Sequence, residues 1–216
     1  MFDLYEIHKI TTKEAKDYIK THHYSHGCHN GPSPCYGLFV GNSLIGVLMF
    51  ATPCSENVRS SVFGEEYKNH VTELHRLHIK DTLDGKIVPK NTESWFISRC
   101  LKSLKRDKPK IWAVLSFADS TEGHNGTIYK ATNAYFCGTT SKSTFFFDTQ
   151  GRLRHPRQCG VNITKDEAKS RGWDVVKRDS KYRYLFLLPN SKSHRKKLLN
   201  MCKYTEELEG EDQDDS

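Results

Sequence analysis

Residues 111–133 read IWAVLSFADSTEGHNGTIYKATN, and the placement of this stretch decides the fold. Ile111 to Phe117 is apolar and rich in β-branched and aromatic side chains, the composition of a strand buried on both faces. The apolar run stops at Asp119. A polar, glycine-bearing turn follows over 120–126, and from Thr127 the chain reads as a helix with Ile128, Ala131 and Thr132 on one side. Ligands of α/β sheets sit outside the carboxyl ends of strands, so Asp119, His124 and Tyr129 are all expected at a ligand-binding end.

The flanking segments fit around that unit. Phe2 to Ile10 alternates as a half-buried strand, and Thr11 or Thr12 caps a helix running through Tyr18, Ile19 and His22, with Glu14 placed for a capping box on Thr11. A loop crowded with His22, His23, His26 and His29 precedes a hairpin of Tyr36 to Val40 and Leu44 to Phe50, turned at Gly41 and Asn42. Pro53 to Asn69 reads as loop or short helix. Val71 to Lys80 alternates as a strand with Leu74, Arg76 and His78 on one face and Glu73, His75, Leu77 and Ile79 on the other. After a loop over 81–91, Thr92 precedes a helix from about Ser94 to Lys105 with Phe96, Ile97, Cys100, Leu101 and Leu104 as its apolar stripe. Beyond the central unit come a short strand (Thr144 to Asp148), an exposed basic loop from Arg152, and a helix capped by Thr164 with Glu167. A last strand (Lys181 to Leu188) and a basic segment (Ser191 to Lys203) complete the chain before its tail. An early hairpin followed by helix-linked strands implies a mixed, twisted central sheet with helices on both faces.

With 216 residues the chain suits one α/β domain over 1–205, and the acidic tail 206–216 is expected to be disordered. No stretch approaches 18 apolar residues and no basic-then-apolar leader opens the chain, so no membrane partner is expected and the expected site of action is the cytoplasm. Seven cysteines without a CxxC pair argue against a disulfide framework and against a thiolate zinc site. The net charge of +7 includes seven acidic and no basic residues from Glu206 onward, so residues 1–205 carry +14. A body this basic points to a polyanionic partner, nucleic acid first.

The element order resembles the GNAT-type acyltransferase fold, in which the fourth and fifth strands splay apart and an acyl donor lies in the gap. A narrower resemblance rests on Glu73-Leu74-His75-Arg76-Leu77, Glu93-Ser94-Trp95-Phe96-Ile97-Ser98, Ser116-Phe117-Ala118-Asp119 and the block Gly123 to Asn133, extended by His23-Tyr24-Ser25 and by Lys181 to Phe186. In this order the blocks are similar to the Mom family of phage DNA-modification proteins, over roughly residues 20–200. The resemblance implies conversion of adenine in double-stranded DNA to its N6-carbamoylmethyl (acetamido) derivative, which shields phage DNA from host restriction in the infected cell. It also implies an acetyl-CoA-type donor and, in some members, iron. One departure stands out. Where acetyl-CoA-dependent relatives of the fold carry a glycine-rich turn before a helix N-terminus, this chain reads Lys90-Asn91-Thr92-Glu93-Ser94.

Within that frame His23, Asp119 and Tyr129 are the expected catalytic residues: imidazole and carboxylate manage the amine proton, and the phenol protonates a leaving group. Core packing of Tyr129 and a turn or capping role for Asp119 are the competing structural readings. Arg76, Leu77, Ile79, Thr92 and Ser94 are expected to hold the donor, although Arg76 could equally pair with Glu73 or Glu93. Tyr24 and Tyr36 are expected to stack on an extruded adenine, with His124 and Asn133 at a base edge. Arg152, Arg154, Arg157, Arg195, Lys196 and Lys197 are expected on phosphates. Bound iron would fall to Tyr36, Asp119 and Tyr129. Two other readings stay open, an acyltransferase for a protein, small-molecule or tRNA-linked acceptor and a non-catalytic DNA-binding protein of the same fold, and so does a homodimer.

Overall fold

The computed structural model describes residues 4–24, 27–28, 31–156 and 163–204. Its elements are β1 (Tyr5–Ile10), α1 (Thr12–His22), β2 (Cys35–Val40), β3 (Ser43–Ala51), α2 (Glu56–Phe63), β4 (Val71–Ile79), β5 (Thr82–Leu83), β6 (Lys86–Ile87) and α3 (Thr92–Asp107). They continue as β7 (Ala113–Asp119), α4 (Thr127–Lys130), β8 (Tyr135–Thr139), β9 (Ser143–Phe147), β10 (Leu153–Arg154), α5 (Lys165–Ser170), β11 (Asp174–Arg178), β12 (Lys181–Leu187) and α6 (Lys192–Met201). Seven strands form the large sheet in the order β1-β2-β3-β4-β7-β12-β8, and β10-β9-β11 form a second sheet. The large sheet is mixed: β1 to β4 pair antiparallel, and β4 pairs parallel with β7. This is the α/β architecture expected from the element order. Contacts divide the chain into two compact units, the first comprising 1–117, 126–137 and 184–216 and the second 118–125 and 138–183.

In the first unit, strand alternation assigns the helices to faces. Cys35, Val47 and Met49 point to α1 and pack with Ala15, Tyr18 and Ile19. Val71, Ala113, Leu115 and Leu185 pack with Val62 and Phe63 of α2 and Leu198 of α6. Tyr36, one residue on from Cys35, faces the other way and donates its hydroxyl to Asp107 of α3, 3.0 Å away. The α3 stripe of Phe96, Ile97, Cys100, Leu101 and Leu104 is buried as expected. The capping box of Thr11 and Glu14 starts α1. No helix among the described residues is long and apolar enough to cross a membrane.

The second unit has a core of Phe146, Ile163 and Ala168 with Trp173 and Val175 against it. Its helix α5 opens on the expected Thr164 and Glu167 capping box.

Four departures from the sequence reading matter. The pairing of β3 with β4 shifts register, with Met49 opposite Arg76 but Phe50 opposite Leu74. His75 is therefore a bulge residue, and Leu74 and Arg76 lie on opposite faces rather than the same one. The helix after Gly126 is a single turn, ended by Asn133 in the left-handed region at φ +59°. The segment 81–91, read as a loop, contains the β5-β6 hairpin, whereas α2 in 53–69 is the short helix that the sequence allowed there. Strands β8 and β11 did not stand out, because their alternation is short and mixed with polar residues. Phe2, Cys159 and the acidic tail lie outside the described residues.

The His78 imidazole of β4 packs beside Tyr18 and the ring of His22, with its Nδ1 donating to the Tyr18 oxygen across 3.3 Å while the Tyr18 hydroxyl donates to the Ile45 carbonyl at 2.6 Å. Burial first, and then the neighbouring His22, hold the His78 pKa below its ordinary value. The unfolded chain, with an imidazole near about 6.5, therefore binds more protons than the folded one in the interval just below that value. Stability is expected to fall as pH drops below about 6.5, and His78→Gln to flatten that slope in urea unfolding at a series of pH values. Equal slopes for both proteins would remove His78 as the cause.

Gly126 opens α4 at φ +76°, and a Cβ there would overlap the Tyr184 ring. Gly126→Ala combines left-handed strain with overpacking, each about 1–3 kcal/mol, and is expected to lower the urea midpoint accordingly. An unchanged midpoint would contradict the close approach.

Candidate active site

The opening of the sheet defines the site in the first unit. β4 and β7 pair only over Val71–Leu74 and Ala113–Ser116, while β4 continues to Ile79 against β3 alone. Beyond Leu74, the edge of β4 that faced β7 has no strand partner among the described residues, and the side chains there are all partly exposed, whereas Val71, Thr72 and Leu74 are buried. Leu77 and Ile79 lie on this open stretch, as a donor-binding role for them requires.

Ser116, the last residue of β7 paired with β4, is fully buried, and its Oγ makes no hydrogen bond of full geometry. It lies close enough to Tyr129 to favour the phenolate, but burial dominates and pushes the Tyr129 pKa up to about 12. Tyr129 packs against Tyr184 and Phe186 at ring distances of 5.3 and 6.2 Å and feels Tyr24 and Glu73 electrostatically. Glu73 has no Lys or Arg partner among the described residues; its nearest ionisable contact is His75 Nδ1 at 3.5 Å. Tyr24 is half exposed and lies 4.3 Å, ring to ring, from the buried His23, which reaches to within 6.4 Å of His78. The structure thus brings His23, Tyr24 and Tyr129 into one neighbourhood and adds Glu73, Ser116 and Tyr184. All three additions stood within the quoted sequence blocks, but only the register of β4 against β7 turns them toward Tyr129.

Several expected roles are corrected. Tyr36 is 2% exposed, bonded to Asp107 and edge-on to Phe50, so it offers no face to a flipped base. Thr92 is buried and gives its hydroxyl to the Pro89 carbonyl at 2.6 Å, and Ser94 gives its own to Asn91 at 3.0 Å. Both close the first turn of α3 on itself. That turn starts from Asn91 at φ +71° and carries Glu93, which suits the helix dipole and opposes an anion there. Arg76 pairs with neither Glu73 nor Glu93: its Nε donates to the Gly27 carbonyl at 2.9 Å and its Nη1 to the His75 carbonyl at 2.7 Å, tying the histidine-rich loop to the bulge.

Asp119 belongs to the second unit, and there it is a paired anion. Its Oδ1 accepts from the Thr121 N–H at 3.2 Å, while Oδ2 faces Lys181 Nζ at 2.9 Å and Arg178 Nη2 at 3.3 Å. Burial works to raise its pKa, but Lys181 and Arg178 outweigh it and hold the carboxyl below its ordinary value. A carboxylate so held is a poor proton acceptor at neutral pH. His124 is exposed and donates its backbone N–H to the Asp119 carbonyl, and Asn133 is an exposed turn residue of the first unit.

The implied iron ligands do not fit a metal centre. Burial raises the pKa of both Tyr36 and Tyr129, the opposite of what a phenolate ligand requires, and Asp119 is taken by two cations. No group of three His, Cys, Asp or Glu side chains among the described residues could hold a metal ion.

Of the basic residues, Arg195, Lys196 and Lys197 are exposed on α6, with Arg195 anchored on the Tyr135 hydroxyl. Arg152 and Arg154 flank Asp148 in the second unit, and Arg157 lies outside the described residues.

Among known proteins, the methylcarbamoylase Mom of Escherichia phage Mu is 30% identical over 191 residues, 85% of this chain and 75% of that protein. Similar solved structures include a Bacillus subtilis acetyltransferase in complex with CoA (13% identity, 85% of this chain and 97% of that one, TM-score 0.43). An N-acetyltransferase from Staphylococcus aureus Mu50 is also similar (11% identity, 85% and 98%, TM-score 0.47). The family model of the Mom protein family matches residues 4–206, and this chain belongs to that family.

Proposed function

We propose that the chain is a DNA-modifying transferase that converts adenine, at its exocyclic N6, to N6-carbamoylmethyl adenine in double-stranded DNA, acting in the cytoplasm of a phage-infected host and protecting that DNA from restriction. The observation that carries this reading is the open edge of β4 beside Tyr129, Ser116 and Glu73, in a chain of the Mom family. An unpaired strand edge presents backbone N–H and C=O groups to any extended, amide-bearing molecule. An acyl-CoA-type donor offers such an arm, and the Leu77 to Ile79 stretch would hold it. The α3 N-terminus, closed by Thr92 and carrying Glu93, leaves the donor phosphates to be held elsewhere.

The protein's own groups divide the proton work. Tyr129, with its pKa at about 12, is protonated at neutral pH and can only donate. As N6 bonds to the methylene carbon of the carbamoylmethyl group, the bond from that carbon to its carrier breaks, and Tyr129 would protonate the departing carrier. Glu73, free of cationic partners among the described residues, accepts the proton that the amine loses as its new bond to carbon forms. Tyr24 supplies an exposed ring on which an extruded adenine can stack, backed by His23.

Nucleoside mass spectrometry of plasmid DNA from expressing cells tests the reading. The expected result is a deoxyadenosine heavier by a carbamoylmethyl group, reduced by about 10²-fold or more for Tyr129→Phe and for Glu73→Gln. Unmodified DNA from folded wild-type protein would discard DNA as the acceptor and favour a protein, small-molecule or tRNA-linked one. Full modification by Glu73→Gln would remove Glu73 as the base.

A further inference from the structure

The β9-β10 turn and the α5-β11 turn of the second unit frame an open cavity of about 240 Å³, lined by Asp148, Arg152, Arg154, Arg171 and Trp173 together with residues 149 and 150. It is a built site. Asp148 is buried, and its Oδ1 accepts the backbone N–H groups of Gln150 and Arg152, both at 2.9 Å. Its Oδ2 accepts Arg152 Nε and Arg154 Nε, also both at 2.9 Å. The carboxylate therefore grips both guanidinium groups by Nε, and their Nη atoms have no partner among the described residues. Arg171 lies over the Trp173 ring, 5.6 Å from its centroid, and makes no salt bridge among the described residues. Arg152 and Arg154 both stand against the Asp148 carboxylate, where a single arginine would neutralise it, and Arg171 has only the longer-range attraction of Glu167.

We infer that this cavity is a nucleotide subsite: one DNA phosphodiester is held by the free edges of Arg152, Arg154 and Arg171, and an adjoining unpaired base stacks on the Arg171 guanidinium that Trp173 backs. Guanidinium forks match phosphate oxygens in pairs. A guanidinium plane backed by an indole is a sequence-tolerant stacking platform, which a phosphate bound alone would not need. The +14 charge of residues 1–205 draws the polyanion to the surface, and this cavity orders one of its nucleotides. The inference deepens the proposed DNA-acting function and rests on it. It leaves the proton-handling residues untouched, since none of them lines the cavity.

The test uses the full-length protein and measures affinity for a short DNA duplex and for a single-stranded oligodeoxynucleotide over a range of NaCl. Arg171→Gln leaves the Asp148 contacts intact and is expected to weaken oligonucleotide binding by about tenfold and to reduce the log Kd against log salt slope by about one. Trp173→Ala is expected to lose about tenfold for the single strand, and Trp173→Phe to bind as wild type. Unchanged affinity and slope in a folded Arg171→Gln protein would overturn the inference. So would competition by inorganic phosphate as effective as that by oligonucleotide, which would mark a plain anion site. A loss of coenzyme A affinity with oligonucleotide binding intact would assign the cavity to donor phosphates and equally overturn it. Nucleoside mass spectrometry on the same proteins separates the two ideas. Modified DNA with unaltered binding in the variants removes the subsite alone, whereas weakened binding in the variants with unmodified wild-type DNA removes the transferase reading alone.

Discussion

The site depends on a bulge. His75 is an extra residue in the β3-β4 ladder, inserted directly after Leu74, the last residue of β4 that pairs with β7. A bulge bends its strand and increases the local twist, so β4 leaves β7 where the insertion falls. Had the register continued unbroken, β4 and β7 would have kept on pairing and closed the edge that a donor could use. The bulge is held from the side by Arg76, whose guanidinium joins the His75 carbonyl to the carbonyl of Gly27. One side chain thus ties the opening in the sheet to the loop that presents His23 and Tyr24.

Burial then sets the chemistry of the opening. Tyr129 sits among Tyr184, Phe186 and Ser116, and a phenolate in such surroundings is strongly disfavoured. The residue is a proton donor by environment rather than by identity. In the proposed reaction Glu73 takes the complementary role, since no lysine or arginine among the described residues neutralises it. Asp119, the more conspicuous carboxylate in the sequence, goes the other way, since Lys181 and Arg178 hold it ionised. The two carboxylates differ in their partners and not in their chemistry.

The second unit repeats one device. Asp119 and Asp148 are both buried carboxylates with two cationic side chains each, and Asp119 gathers one backbone N–H and Asp148 two. Removing one partner from such a cluster leaves charge buried and uncompensated, so the clusters fix the loops on which they sit. At Asp148 the gathered arginines keep their outer edges free, so a structural cluster also presents a surface for an anion.

Much of this was legible from residues alone, wherever the cause is local. The capping boxes of Thr11 with Glu14 and Thr164 with Glu167 span three residues, the Gly41 turn and the α3 stripe repeat within one element, and the ordered blocks pointed to the family. What depends on distant partners was not. The faces of β4 were misassigned because a bulge is a property of two strands, and nothing within Val71 to Lys80 marks it. Tyr36 looked like a stacking residue until Asp107, 71 positions on, took its hydroxyl. Asp119 looked like a base until Arg178, 59 positions on, and Lys181 paired with it. Sequence determined which elements form and what chemistry they carry, because propensity and periodicity act within a few residues. Only the tertiary structure decided which of those groups are buried, paired or open, because burial and pairing are relations between segments that the chain order keeps apart.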